Sequence, residues 1–129
     1  MKALALVALG GAFGSGARYL LSGWVLHHTA AARFPWGTFA VNVIGCLAAG
    51  VLVGMVLRAD AQGLGAMHAN LRLFLLTGLL GGFTTFSAFG VETIALLRKG
   101  EALFAALNVA GSVAVALGAL WLGMVLLQD

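Results

Sequence analysis

The sequence GGFTTFSAF occupies residues 81–89 and lies in the middle of a largely apolar run that extends from residue 71 to residue 97. Gly and Thr are poor helix formers, so this run has a weak point at its centre rather than at its end. As one helix it would extend roughly 40 Å, whereas the apolar core of a bilayer is about 30 Å thick. A tilt could absorb the excess, but a break explains it more simply. We therefore predict a membrane helix that is broken at Gly81-Gly82.

A break of this kind has functional consequences. Non-helical backbone within a bilayer is stable only where protein or a polar cavity surrounds it. Carbonyl groups freed at the break can bind a cation, and freed amides can face an anion. The alternative is that Gly, Ser and Thr serve only as small residues that let membrane helices pack closely. The segment by itself leaves both interpretations open.

The composition is that of an integral membrane protein. Of the 129 residues, 62% are hydrophobic and only 9% are charged, against about 25% charged residues in soluble proteins. The net charge of +3 comes without a basic stripe interleaved with aromatic residues, which excludes nucleic-acid binding. A single cysteine, Cys46, excludes an intramolecular disulfide and a cysteine metal site.

Hydropathy predicts one all-α domain, residues 1–129, with four membrane helices at about residues 3–26, 37–57, 71–97 and 102–127. The apolar character of the first segment resumes after Arg18, which favours a retained helix over a signal peptide. Gly10 and Gly14 in this helix form a pair suited to close helix packing. His27 and His28 are assigned to the first connection, where adjacent histidines without acidic or cysteine neighbours are typical of solvated residues.

Two polar residues lie within the first two segments. Arg18 lies about two turns inside one end of its helix, where it either extends to the interface or forms an electropositive vestibule that concentrates anions. Asn42 shares a helix face with Thr38 and Cys46. Its amide either bonds a neighbouring helix or lines a pore, where its N–H groups can replace water around an anion.

The last two segments contain a second set of candidates. Phe86 and Phe89 share a helix face, and Glu92 continues the same row. Such an aromatic row is more often packing than functional, and Glu92 is either an interfacial carboxylate or a buried functional group. Asn108 and Ser112 lie one turn apart in the fourth segment.

The basic residues near the helix ends divide equally between the two sides of the membrane, with Lys2, Arg58 and Arg72 on the side of the termini and Arg33, Arg98 and Lys99 on the other. Orientation follows the Lys/Arg difference between the sides, which here is almost nil. The chain can therefore insert both ways up and pair antiparallel. Two copies would then supply the inverted symmetry that larger transporters encode in one chain.

Three motifs resemble one known family. Residues 10–19 (GGAFGSGARY), residues 36–45 (WGTFAVNVIG), and residues 81–89 followed by Glu92 are similar in order and spacing to the Fluc (CrcB-type) fluoride channels of bacteria and other microbes. The resemblance covers all four segments. Each motif alone is modest evidence, whereas the three together are highly specific.

The resemblance implies an antiparallel, dual-topology homodimer in the bacterial inner membrane that passively exports fluoride through two pathways. It implies a structural Na⁺ that is not transported, bound at the dimer centre by the main-chain carbonyls of Gly81 and Thr84 from both subunits. The residues that it assigns to the fluoride pathway are Asn42, Phe86, Phe89, Thr85, Ser87 and Ser112, and Arg18 is assigned to the vestibule. One departure is Asn108, which stands where relatives often have tyrosine and affects the outer half of the polar track.

Two other classes of protein are weighed against this one. A small dual-topology drug/cation–proton antiporter also has four helices, but it needs an acidic residue in its first helix, and residues 3–26 contain none. A membrane enzyme would need paired acids, a nucleophile with its base, or metal ligands within the spans, which Glu92 alone does not provide. A fluoride pathway, by contrast, needs many weak donors that replace water around a strongly hydrated anion without trapping it.

Overall fold

The computed structural model describes residues 1–62 and 69–127, apart from the side chain of Asp60. The helices are α1 (Lys2–His28), α2 (Trp36–Ala61), α3 (Ala69–Arg72), a π-helical segment (Leu73–Leu80), α4 (Gly81–Phe83), α5 (Phe86–Arg98) and α6 (Ala102–Val125). Four stretches are long and apolar enough to cross a membrane: Lys2–His28, Trp36–Ala59, Ala69–Arg98 and Ala102–Val125. The predicted all-helical architecture with four membrane segments is confirmed.

The third segment is interrupted at Thr84 and Thr85, so the predicted break at Gly81-Gly82 is wrong in its position. The two glycines are helical, and the Thr84 amide still donates to the Leu80 carbonyl at 3.0 Å. Thr84 and Thr85 are extended, with φ/ψ of −79°/156° and −149°/123°. The low helix propensity of Gly81 and Gly82 therefore did not by itself end the helix.

Glycines allow α1 to pack closely against the first half of the third segment. A Cβ at Gly10 would lie 2.5 Å from the Phe74 carbonyl oxygen, and one at Gly14 would overlap the Leu79 carbonyl. A Cβ at Gly82 would likewise lie 2.5 Å from the Gly11 carbonyl oxygen. The close-packing pair predicted at Gly10 and Gly14 is confirmed. The segment that it faces is wound as a π-helix, a conformation that is frequent near functional sites.

The second closely packed pair consists of α2 and α6. A Cβ at Gly50 would overlap the Leu120 carbonyl, and one at Gly123 would lie 2.5 Å from the Leu47 carbonyl oxygen. The buried residues Val41 and Ala105 lie on these same two helices. Because α1 holds the π-helical half of the third segment while α5 packs on α6, the break lies between the two pairs.

Two predicted boundaries are corrected. His27 and His28 belong to the last turn of α1 and not to a connection, and His28 Nδ1 donates to the Trp24 carbonyl at 2.8 Å. Arg58 belongs to α2, which continues to Ala61. The stretch between the second and third predicted helices, residues 58–70, is therefore partly helical, and residues 63–68 of it lie outside the described residues.

Candidate functional site

Asn42 of α2 forms hydrogen bonds with the backbone of the third segment where its helix is interrupted. Its Nδ2 donates to the Thr85 carbonyl at 3.0 Å, and its Oδ1 accepts from the Thr85 amide at 2.8 Å. A carboxamide has the same donor and acceptor groups as a peptide, so one side chain satisfies both backbone groups of a residue that is only 9% exposed. Extended backbone is stable here because protein groups replace the missing helical hydrogen bonds.

The same rearrangement removes the helical partners of two carbonyls. In a continuous helix the Thr85 amide would bind the Gly81 carbonyl, but it donates to Asn42. The Ala88 amide would bind the Thr84 carbonyl, but it donates to Thr85 Oγ1 at 3.2 Å. Gly81 and Thr84 are the two residues that the resemblance assigns to Na⁺. Their main-chain oxygens suit a hard cation of this type, as unwound carbonyls do in other transport proteins.

A first cavity of about 300 Å³ lies against the break, lined by Asn42, Cys46, Thr84, Thr85, Phe86, Phe89, Ser112, Val113, Ala116 and Leu117. It brings together five of the six residues assigned to the fluoride pathway. The ring centroids of Phe86 and Phe89 lie 5.4 Å apart, with planes inclined by 38°. Ser87, the sixth, is not among the lining residues; its Oγ lies 3.2 Å from Thr85 Oγ1.

A second cavity of about 440 Å³ contains Arg18 and Glu92 together with the hydroxyls of Ser15, Tyr19, Ser22 and Thr38. Thr38 Oγ1 donates to Glu92 Oε1 at 2.6 Å. Glu92 Oε2 is buried and has no hydrogen-bond partner among the residues that the structure describes. Glu92 is thus a half-buried group that faces the second cavity, which favours the buried over the exposed interpretation.

Thr85 lines both cavities. The second cavity contains a cationic side chain, Arg18, and a carboxyl group, Glu92. The vestibule interpretation of Arg18 stays a prediction. Donors are available in both cavities: hydroxyls, the Asn42 amide, and aromatic ring edges, which have partial positive charge. Of the lining residues in the described part of the chain, Glu92 is the one acid.

A chain of hydrogen bonds, buried at Ser112 and part-buried at Thr93, continues from the first cavity into the α5–α6 contact. Ser112 Oγ donates to Asn108 Oδ1 at 3.2 Å, Asn108 Nδ2 donates to Thr93 Oγ1 at 2.9 Å, and Thr93 Oγ1 donates to the Phe89 carbonyl at 2.8 Å. The spacing of Asn108 and Ser112 was evident in the sequence. The sequence-based prediction did not include Thr93. The one local signal for it is that a Thr in a helix can donate to the carbonyl four residues earlier.

The fold and site define a multi-pass helical membrane protein with two cavities that share Thr85 at a helix break. The family model described as "CrcB-like protein, Camphor Resistance (CrcB)" matches residues 5–124, and the chain belongs to this family. The resemblance drawn from the three motifs is confirmed.

Several relatives are proteins named "Fluoride-specific ion channel FluC". The one from Methylobacillus flagellatus is 48% identical over 128 residues, covering 99% of this chain and 96% of the relative. The one from Geobacter sulfurreducens is 47% identical, covering 96% and 95%. The one from Rhizobium etli is 44% identical, covering 95% and 94%.

We predict that Asn42→Leu destabilises the protein, because both backbone groups of Thr85 lose their partner in a buried setting. Each unsatisfied group costs about 1–3 kcal/mol. Thermal unfolding of the purified protein in detergent measures the effect. Cys46→Ala, on the same face of α2, is the matched control because it removes a half-buried group and leaves Thr85 paired. Equal melting temperatures for the two variants would contradict the role assigned to Asn42.

Proposed function

We propose that this chain is the subunit of a passive, fluoride-selective channel that lets fluoride leave the cell and lowers its concentration in the cytoplasm. The observation that supports this most strongly is the first cavity. It gathers Asn42, Thr85, Phe86, Phe89 and Ser112 from three helices against the break. These residues belong to the motifs that identify the family or to the polar row on α6, and the relatives named above are fluoride-specific channels by name.

The donors of this cavity suit a small, strongly hydrated anion. Asn42 uses one N–H of its amide for the Thr85 carbonyl, and a carboxamide has a second N–H that can face an ion. The ring edges of Phe86 and Phe89 attract an anion weakly. Because each donor is neutral, the set can replace water around fluoride without holding it too tightly for release.

Arg18 and Glu92 give the second cavity charged groups, which the first cavity does not have among its described lining residues. The guanidinium attracts anions from solution, while the carboxylate repels them from the space that it faces. Fluoride therefore collects near Arg18, and the neutral donors at Thr85 and Asn42 receive it beyond the charged residues. No group that exchanges protons is needed for this passage.

The alternative, a drug/cation–proton antiporter, is not supported by the family match. The membrane-spanning part of α1 contains no acidic residue that could exchange protons for a cation. Passive conduction also agrees with cavities whose donors are hydroxyls, an amide and aromatic rings.

The active unit in this proposal is an antiparallel homodimer in the bacterial inner membrane. Phe86 is 83% exposed in the single chain, and Gly81, near the middle of the third segment, is exposed as well. A second copy would cover both residues and complete the open first cavity. The equal division of basic residues supports insertion in both orientations, which an antiparallel pair requires.

A structural Na⁺ at the centre of this dimer is part of the same proposal. The carbonyls of Gly81 and Thr84 would hold it, and equivalent carbonyls of the second copy would complete the ligand set. When bound, the ion would neutralise the negative ends of these carbonyl dipoles and so favour the joined copies. It would not be transported.

We predict rapid fluoride efflux from liposomes that contain the purified protein, with chloride efflux lower by orders of magnitude. Fluoride- and chloride-selective electrodes on the same preparation measure both. Phe89→Ile should lose most of the flux because the donor edge of the ring disappears, provided that gel filtration shows an intact assembly. Equal fluxes of the two halides, or strict coupling of fluoride to proton movement, would refute the function.

For the cation, we predict that replacing Na⁺ with N-methyl-D-glucamine lowers both fluoride flux and the dimeric fraction in gel filtration. Thr84→Ala keeps the main-chain carbonyl and should be mild. Gly81→Pro removes the amide that binds the Leu76 carbonyl, disturbs the backbone and should be severe. A dimer and a flux that are both insensitive to Na⁺ removal would argue against the site.

For topology, we predict that tags at Met1 are found on both faces of the inner membrane in comparable amounts. Three lysines inserted after Gln62 should impose one orientation and yield an inactive protein. Co-expression with a chain that has three lysines inserted after Ala31 should restore activity. A wild-type chain in a single orientation that is nevertheless fully active would disprove the antiparallel arrangement.

A further inference from the structure

The hydrogen-bond chain from Ser112 to the Phe89 carbonyl has a direction that follows from the chemistry of its members. A carbonyl only accepts, so the single proton of the Thr93 hydroxyl is used at Phe89. Thr93 Oγ1 can then only accept from Asn108, which requires the Nδ2 end of the amide at that contact. The Oδ1 end faces Ser112, and Ser112 must donate to it. The orientation of the Asn108 amide is thus determined by the backbone of α5.

This direction determines what Ser112 presents to the first cavity. With its proton on Asn108, the hydroxyl offers the cavity lone pairs, which repel an anion. To bind an anion, Ser112 must rotate its proton away from Asn108. The Ser112–Asn108 distance of 3.2 Å is longer than the 2.5–3.0 Å usual for hydroxyl donors, so the bond is weak and easily exchanged.

Rotation of the Ser112 proton leaves Asn108 Oδ1 without its donor, which is unfavourable in free energy. Asn108 is 1% exposed, so its Oδ1 would be left buried and unpaired whenever Ser112 donates to an ion. A buried acceptor without a partner is unfavourable. The amide therefore competes with the ion for one proton and recovers that proton when the ion leaves.

We propose that Asn108 is a positioning residue that lowers the affinity of Ser112 for fluoride, because Asn108 is the alternative acceptor for the Ser112 proton. This inference rests on the proposed function, and it assigns a role to a residue that does not itself line either cavity. Weak binding at this step speeds release, which a conducting pathway requires as much as it requires entry. Thr93 contributes indirectly, because it holds the amide in the orientation that accepts.

The test is the fluoride concentration that gives half-maximal flux in liposomes. Asn108→Leu is close in size and removes the competing acceptor, so the half-saturating concentration should fall roughly fivefold, the effect expected for one neutral hydrogen bond. Maximal flux should fall as well, because release slows. In a Ser112→Ala background the Asn108→Leu substitution should leave the half-saturating concentration unchanged, since no proton remains to compete for.

A second pair of variants keeps the test decisive if Asn108→Leu does not assemble. Thr93→Val removes the acceptor that orients the amide, which can then turn its Nδ2 toward Ser112 and free the serine proton. The half-saturating concentration should again fall. Thr93→Ser keeps the hydroxyl and should restore the wild-type value. Leu96→Ala, a buried apolar change on α5, controls for loosened packing and should not alter that concentration.

The outcomes separate the two proposals. A wild-type protein that does not conduct fluoride overturns the proposed function and this inference with it. A wild-type protein that conducts, with Asn108→Leu or Thr93→Val leaving the half-saturating concentration unchanged or higher, overturns the role of Asn108 alone. A shift that persists in the Ser112→Ala background also overturns it, because the effect would then not act through the serine proton.

Discussion

The pair of hydrogen bonds between Asn42 and Thr85 is the interaction on which the site depends. A membrane interior supplies no water to an interrupted helix, so each freed backbone group needs a partner from the protein. Asn42 provides one donor and one acceptor from a helix 43 residues away in sequence. Without this partner, both buried backbone groups of Thr85 would lack a hydrogen bond, which is unfavourable.

The glycine contacts make this interaction geometrically possible. Gly10 and Gly14 let α1 pack directly against the backbone of the π-helical segment, and Gly50 and Gly123 do the same for α2 and α6. Two closely packed pairs result, and the break lies between them. Because backbone rather than long side chains defines these contacts, the position of Thr85 relative to Asn42 is held closely.

Many donors of the site already have internal partners. The Asn42 amide is shared with Thr85, the Thr85 hydroxyl caps α5 through the Ala88 amide, and the Ser112 hydroxyl donates to Asn108. An ion that uses such a donor must share it or displace a partner. In the proposed pathway this sharing would keep ion binding weak, and residues behind the cavity wall would then tune the affinity.

The sequence by itself determined the four membrane segments and the close-packing glycines of α1. The residues of the proposed pathway come from the resemblance of three motifs to one family. These follow from hydropathy, from helical spacing and from motifs that are local in the chain. Only the tertiary structure decided that the break lies at Thr84–Thr85, that Glu92 is half-buried beside Thr38, and that Thr93 links Asn108 to Phe89. The physical reason is the same in each case. Each feature depends on a hydrogen-bond partner on another helix, and local helix propensity contains no information about where that partner lies.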